Sequence, residues 1–289
     1  MVLPGSFDQR DKLLIIHADD VGMCHSENMA TFLGFQNGLV SSCSLMMPCP
    51  WVLEAVEFFR SNPDYDHGIH STLTSEWKHY RWGPVSSKNE VPTLIDEEDY
   101  LYRDAKDAAK ASQKDTETEL RAQVKRAFEL GLHPSHLDSH MGTVFFRPDF
   151  LETYMRIALD NGLIPMLIKP VKEVLERAKE IGMDISQDTV RKVLESGIVL
   201  DNLIDSSLGS DLQERIKWFR SMLTSIEQGT VTQLIVHLGL PEEEIKAIMP
   251  SYMERYLDYR LVTSKETLKI IKELGFTLVG WKDLKGGRV

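Results

Sequence analysis

The sequence predicts an α/β protein whose parallel strands curl into a β/α barrel of seven or eight strands. Two observations lead there. Short apolar runs alternate with helical patterns along most of the chain, as repeated βα units with right-handed crossovers do. The length, 289 residues, is ordinary for one α/β barrel, and seven or eight units over it favour closure over an open doubly wound sheet. No glycine-rich phosphate motif follows any strand. The chain reads as one domain, residues 1–289, carrying a long aromatic-rich insertion at about 74–115.

The elements follow in order. Leu13–Ile16, four apolar residues with β-branched members, form a strand buried on both faces. Ser26–Asn37 has near-helical apolar spacing, and Gly38 can end it. Leu39–Met47 is the second strand. Pro50–Ser61 is a helix with Val52, Ala55, Val56 and Phe59 on one side. Asp66–Leu73 is the third strand. The polar, aromatic segment that follows (Trp77, Tyr80, Trp82, Tyr100, Tyr102) is too long for an ordinary connection and too aromatic for disorder. Its rings could stack on sugar faces or simply anchor a surface loop. Thr116–Leu130 is a helix ended by Gly131, and Ser135–Ser139 the fourth strand. Asp149–Asn161 is a helix closed by Gly162, and Leu163–Ile168 the fifth strand. Val171–Gly182 and Gln187–Ser196 are helical, and Ile198–Ile204 is a sixth strand. Leu212–Gln228 is a helix, Val231–Leu238 the seventh strand, Ser264–Leu274 a helix ended by Gly275, and Phe276–Gly280 the last strand.

Composition excludes several classes. A formal net charge of −11 argues against a nucleic-acid partner. No apolar run reaches the roughly 18 residues of a membrane span, and the first twelve residues lack the apolar core of a secretory signal. The three cysteines, Cys24, Cys43 and Cys49, are odd in number and form no CxxC, which suits a reducing compartment and buried packing. A cytoplasmic location is expected. A homodimer is compatible with the sequence, which does not report an oligomeric state.

Polar, ionisable residues gather at strand ends. Asp19 and Asp20 close strand one, His70 lies in strand three, His136, Asp138 and His140 alternate along SHLDSHMG in strand four, and His237 ends LIVHLG in strand seven. An Asp pair also begins turns or caps helices, and a lone histidine is often a satisfied core or surface residue. Four strands ending this way are much less common by chance. In a barrel such side chains converge on one face. Two adjacent carboxylates repel unless a cation is near. One carboxylate and two imidazoles, Asp20, His70 and His140, would hold a single divalent ion and leave positions open for water. Asp19 could then take the water's proton and His237 could protonate a leaving group. This set suits hydrolysis of an amide or ester. There is no GxSxG elbow and no nucleophilic cysteine setting.

These residues resemble the YdjC-like carbohydrate deacetylases, the family that includes chito-oligosaccharide deacetylase. LLIIHADDVG is similar to the family's strand ending in Asp-Asp-Phe-Gly, with Val21 for the phenylalanine. GLVSSCSLMMPCPWVLEAV resembles its second strand and following helix, GIHSTLT its Gly-x-His-x-x-Leu-Thr, HLDSH its fourth-strand signature, LIVHLG its late strand ending in His-Pro-Gly, and RYLDYRLVTS its arginine-containing stretch before the last helix. The resemblance implies an irregular β/α barrel of the polysaccharide-deacetylase kind. It implies one divalent ion, zinc or magnesium, on Asp20, His70 and His140, with Asp19 as base and His237 as proton donor. The implied substrate is an acetylated amino sugar or short oligosaccharide that loses acetate. The family commonly continues HLDSH with further histidines and often carries an arginine after the fifth strand. Here Met141–Phe145 follow, and Met166, Leu167 and Lys169 occupy the later region, so the substrate pocket is expected to differ around a retained centre. Two other readings stand beside this one. A sugar-binding barrel that has lost turnover would bind carbohydrate without releasing acetate. A phosphoesterase or amidohydrolase would hold nearer two metals.

Overall fold

The structure is a computed structural model describing residues 7–8, 10–180, 185–195, 198–206 and 209–285. Strand β1 (Lys12–Val21) lies at the centre, with Leu13 to Ile16 fully buried. Parallel partners follow on one side: β2 (Ser42–Leu45), β3 (Gly68–Ser71), β4 (His136–Ser139) and β5 (Ile164–Pro165). On the other side β7 (Val231–Val236) pairs with residues 13–18 of β1, and β6 (Asn202–Asp205) pairs with β7. β8 (Phe276–Leu278) extends the pairing at the start of β1. The sheet has eight strands among the described residues. It is an irregular, curled parallel barrel. Among the described residues its edges meet only at an Ile168–Leu200 bridge, where Lys169 N donates to Leu200 O and Leu200 N to Leu167 O, each at 2.8 Å.

Helices α1 (His25–Asn37), α2 (Val52–Ser61), α4 (Gln113–Glu129), α5 (Pro148–Asp160), α8 (Leu212–Ser225) and α11 (Lys265–Glu273) occur where expected. α6 (Lys172–Glu180) and α7 (Gln187–Glu195) also form, while residues 181–182 and Ser196, the ends of those two predicted helices, lie outside the described residues. α4 begins before Thr116 because Ser112 caps it, its hydroxyl accepting from Asp115 N at 3.1 Å. Three helices of the described residues were not read in the sequence, α3 (Ala105–Ala108), α9 (Glu243–Ile248) and α10 (Tyr252–Val262). The buried face of α10 is Arg255, Asp258, Leu261 and Val262. Two charges on that face erase its apolar stripe. β2, β3, β5 and β6 are each shorter than the apolar runs that announced them, and β5 has two residues.

The 74–115 insertion is packed rather than loose. It holds a 3₁₀ turn (Pro92–Leu94) and a short helix α3 (Ala105–Ala108). Bridges pair Thr74 with Tyr102 and Ile95 with Leu101, and Val91, Leu94 and Leu101 are fully buried. Among the described residues no helix is long and apolar enough to cross a membrane. Cys24, Cys43 and Cys49 are free and buried.

Candidate metal and hydrolytic centre

The site is built at the carboxyl ends of β1, β3 and β4. In a regular strand Asp19 and Asp20 would face opposite ways. Here β1 carries a bulge. Ala18 opposes Cys43 and Val21 opposes Leu45, so Asp19 and Asp20 span a gap that β2 crosses with Ser44 alone. Asp20 takes φ +64°, a left-handed conformation that aspartate tolerates better than most residues. Both carboxylates therefore reach one imidazole. His70 Nε2 is 3.4 Å from Asp20 Oδ1 and 3.9 Å from Asp19 Oδ2.

The alternation in β4 turns three side chains toward β1. His140 Nδ1 lies 3.1 Å from Asp20 Oδ1. Asp138 accepts from His70 Nδ1 at 2.7 Å and from His17 Nε2 at 2.9 Å. His136 sits deeper, its ring stacked on Trp281 at 5.4 Å and edge-on to His17 at 5.1 Å. It does not join Asp20. His237, just past β7, is partly open, with Nε2 3.9 Å from Asp20 Oδ2. Its backbone N–H donates to Asp258 at 3.0 Å, and Asp258 is held by Ser206 at 2.6 Å and by Arg215. All five residues singled out in the sequence (Asp19, Asp20, His70, His140 and His237) thus stand round one point.

Three overlapping trios bring ligand atoms within 4.8 Å of one another: Asp20–His70–His140, Asp19–His70–Asp138 and His17–His136–Asp138. Donor availability separates them. Both Asp138 oxygens are already engaged by imidazoles. Asp20 Oδ1 is buried between two imidazole nitrogens yet has no well-formed hydrogen bond. An oxygen left so, with two nitrogens aimed at the same space, fits a cation, and two imidazoles with a carboxylate suit zinc-like ions. His70 also offers Nε2 inward while its Nδ1–H is held by a carboxylate, the usual support of a metal-binding histidine.

The electrostatics divide the two aspartates. Burial works to raise Asp20, but Arg255, His140 and the close approach of both imidazoles outweigh it and hold its carboxyl well below the usual range. At Asp19 burial dominates and raises the carboxyl, against the pull of His70. One carboxylate is kept ionised for a cation, and its neighbour is shifted toward proton exchange, a separation common in hydrolytic sites. Burial would lower both histidines. Asp138 and Asp19 instead raise His70 well above its ordinary value, and Glu76 and Asp20 push His140 up to about 9.

Several contributors were not read in the sequence. Arg255 lies 2.9 Å from Asp20 Oδ2 and 2.5 Å from Glu27 Oε1, all three buried. Glu76, at the start of the insertion, lies 3.1 Å from His140 Nε2. Charged residues on helical or loop segments have no strand-end position to mark them. Only the arginine-containing stretch noted above pointed to one of them.

Fold and site together define a curled parallel β/α barrel with a buried carboxylate–imidazole centre at the strands' carboxyl edge. The model of the YdjC-like protein family matches residues 13–273, and the chain belongs to that family. It is 30% identical over 277 residues to a carbohydrate deacetylase of Thermus thermophilus, covering 95% of this chain and 94% of that protein. It is 25% identical over 280 residues to a chitooligosaccharide deacetylase of Yersinia enterocolitica, covering 94% and 99%. Among solved structures it matches a candidate cellobiose-phosphate cleavage protein of Enterococcus faecalis with TM-score 0.79, at 22% identity, covering 95% and 99% of the two chains.

Proposed function

We propose that the protein is a metal-dependent carbohydrate N-deacetylase that removes an N-acetyl group from an amino sugar or short oligosaccharide and releases acetate. The observation that carries this is the placement of Asp20 Oδ1 between His70 Nε2 and His140 Nδ1, with Asp19 beside it and His237 across it. The names of the relatives support the substrate class. The three free, buried cysteines accord with a cytoplasmic setting.

Asp20, His70 and His140 would hold one divalent ion, zinc or magnesium, which supplies Lewis-acid polarisation of the acetyl carbonyl and acidifies water. The chain's own residues do the rest. Asp19 accepts a proton from the attacking water, and burial, which raises its carboxyl above the ordinary value, makes it a stronger base. His237, open to the mouth and fixed through its backbone by Asp258, donates a proton to the departing sugar nitrogen. Asp138 keeps His17 and His70 oriented. The amide C–N bond breaks, water supplies the acetate oxygen, and the amine leaves protonated. Met141, exposed at φ +52° where further histidines are common in the family, lies beside His140 and shapes a different substrate side.

The test is acetate release from a panel of N-acetylated amino sugars by the zinc- or magnesium-loaded protein. Asp19→Asn should keep its metal and lose about 10²–10⁴-fold in turnover. Sugar binding by the loaded wild type without acetate release would sink the hydrolase assignment, and a fully active Asp19→Asn would remove Asp19 as base.

A further inference from the structure

The 74–115 insertion reads at first as a surface feature or a cover over the site. Its internal bonds say otherwise. They converge on the four residues that begin it. Ser75 N donates to Tyr102 O at 2.7 Å, and Ser75 Oγ accepts from Trp82 N at 2.9 Å and Arg81 Nε at 3.3 Å. Trp82 Nε1 donates to Thr74 O at 2.8 Å, and Arg103 donates to Trp77 O at 2.6 Å. Glu76 is the residue between these clamped neighbours. Its Oε2 lies 3.1 Å from His140 Nε2, the nitrogen that faces away from Asp20. The Trp82 ring lies edge-on to the same imidazole, centroids 6.5 Å apart, and Thr74 Oγ1 donates to Met141 Sδ at 3.4 Å.

His70 has the same arrangement, with one nitrogen toward Asp20 and the other on the Asp138 carboxylate. A metal-binding imidazole is held in tautomer and orientation by the acceptor on its far nitrogen. We propose that Glu76 is the positioning carboxylate of His140, so that the insertion is a built part of the metal centre and its order and metal binding are coupled. The coupling is reciprocal: whatever the insertion contributes to metal affinity, the metal returns to the insertion as protection. This rests on Asp20, His70 and His140 being the metal ligands.

The experiment uses zinc alone, competed against a chelator, together with amide exchange over residues 75–103 with and without zinc. Glu76→Gln should weaken zinc by about 10–100-fold, and zinc should protect the segment in the wild type but much less in the variant. Glu90→Gln, an exposed carboxylate of the same insertion, should match the wild type in both measurements. A role confined to holding the loop would lower the melting temperature of the metal-free protein and leave zinc affinity unmoved, and that result overturns the proposal. If Glu76→Gln does not fold, exchange in the wild type decides alone, and absence of zinc-dependent protection at 75–82 overturns it. A wild type that takes up no zinc overturns both this inference and the metal reading beneath it. Equal zinc binding by wild type and variant overturns this inference only.

Discussion

Replacing Arg255 by methionine tests whether Asp20 is an ionised carboxylate that needs a cation. Among the described residues the Arg255 guanidinium is the one Lys or Arg charge against Asp20 Oδ2, at 2.9 Å, and its other arm reaches Glu27 at 2.5 Å. The two carboxylates are not equivalent. Asp20 is held well below the usual range, whereas burial, partly countered by Arg255, raises Glu27 well above it. Glu27 can therefore take a proton when Arg255 is lost, while Asp20 Oδ2 loses its ion pair and Asp20 keeps only the His70 and His140 imidazoles at Oδ1. Removing one partner of such a pair costs about 3–5 kcal/mol. For a chain somewhat longer than those surveyed, at about 2 °C per kcal/mol, the metal-free variant should melt about 6–10 °C lower. Zinc on Asp20 would replace the lost charge, leaving only about 1–2 kcal/mol for the missing hydrogen bonds and packing. The assay is calorimetry of wild type and Arg255→Met, each with chelator and with saturating zinc. Equal losses in the two conditions, or a metal-free loss below about 1 kcal/mol, would refute the reasoning.

Apparent zinc affinity should rise with pH up to about 9, by up to tenfold per unit for each proton displaced, because binding must expel the protons that Asp138 and Asp19 stabilise on His70 and that Glu76 and Asp20 stabilise on His140. In the metal-free protein the raised pKa of His140 adds stability that is fully present below about pH 6.5 and lost as pH rises through about 9, which a pH series of urea melts would detect. His136 shifts the opposite way: burial, with the charge of His17, lowers it to about 3. Its folded pKa lies below the unfolded one, so stability falls as pH drops below about 6.5, by about 2 kcal/mol at pH 5, and His136→Phe should flatten that acid limb. Gly68→Ala would place a Cβ 2.4–2.6 Å from three atoms of the His136 ring. The ring is pinned against Trp281, so the variant should lose about 1–3 kcal/mol or more, and a melting temperature within a degree of wild type would show that the ring can yield.

The strand framework was legible because β1, β4 and β7 are long enough, or alternate clearly enough, for period and polarity to agree. His70, His140 and His237 were found because an ionisable residue closing an apolar run is conspicuous. Element bounds were less legible at β5, where the apolar run continues past the last paired residue into an equally buried loop, and at β6, where the run begins before the first paired residue. The early start of α4 was written in Ser112 and Asp115, but a cap eight residues ahead of the first apolar position, Leu120, is easily assigned to the preceding loop.

The bulge at Asp20 shows a different kind of omission. A period of two puts Asp19 and Asp20 on opposite faces, although both were given roles at one site from the sequence. The left-handed turn at Asp20 cancels the alternation for one residue and gives the site both carboxylates. The charged residues missed in the sequence follow the same logic. Glu27 on α1 and Arg255 and Asp258 on α10 occupy helix faces that patterning assigns to solvent, yet all are buried. Each is held by an opposite charge reached through the fold: Arg255 by Asp20 and Glu27, Asp258 by Arg215. Local pattern and final environment disagree at Asp20, Glu27, Arg255 and Asp258, and all four are in or next to one centre. Burying them is costly on its own, and that cost is tolerable where opposite charges converge. The failures of the pattern therefore mark the same place as its strand-end histidines.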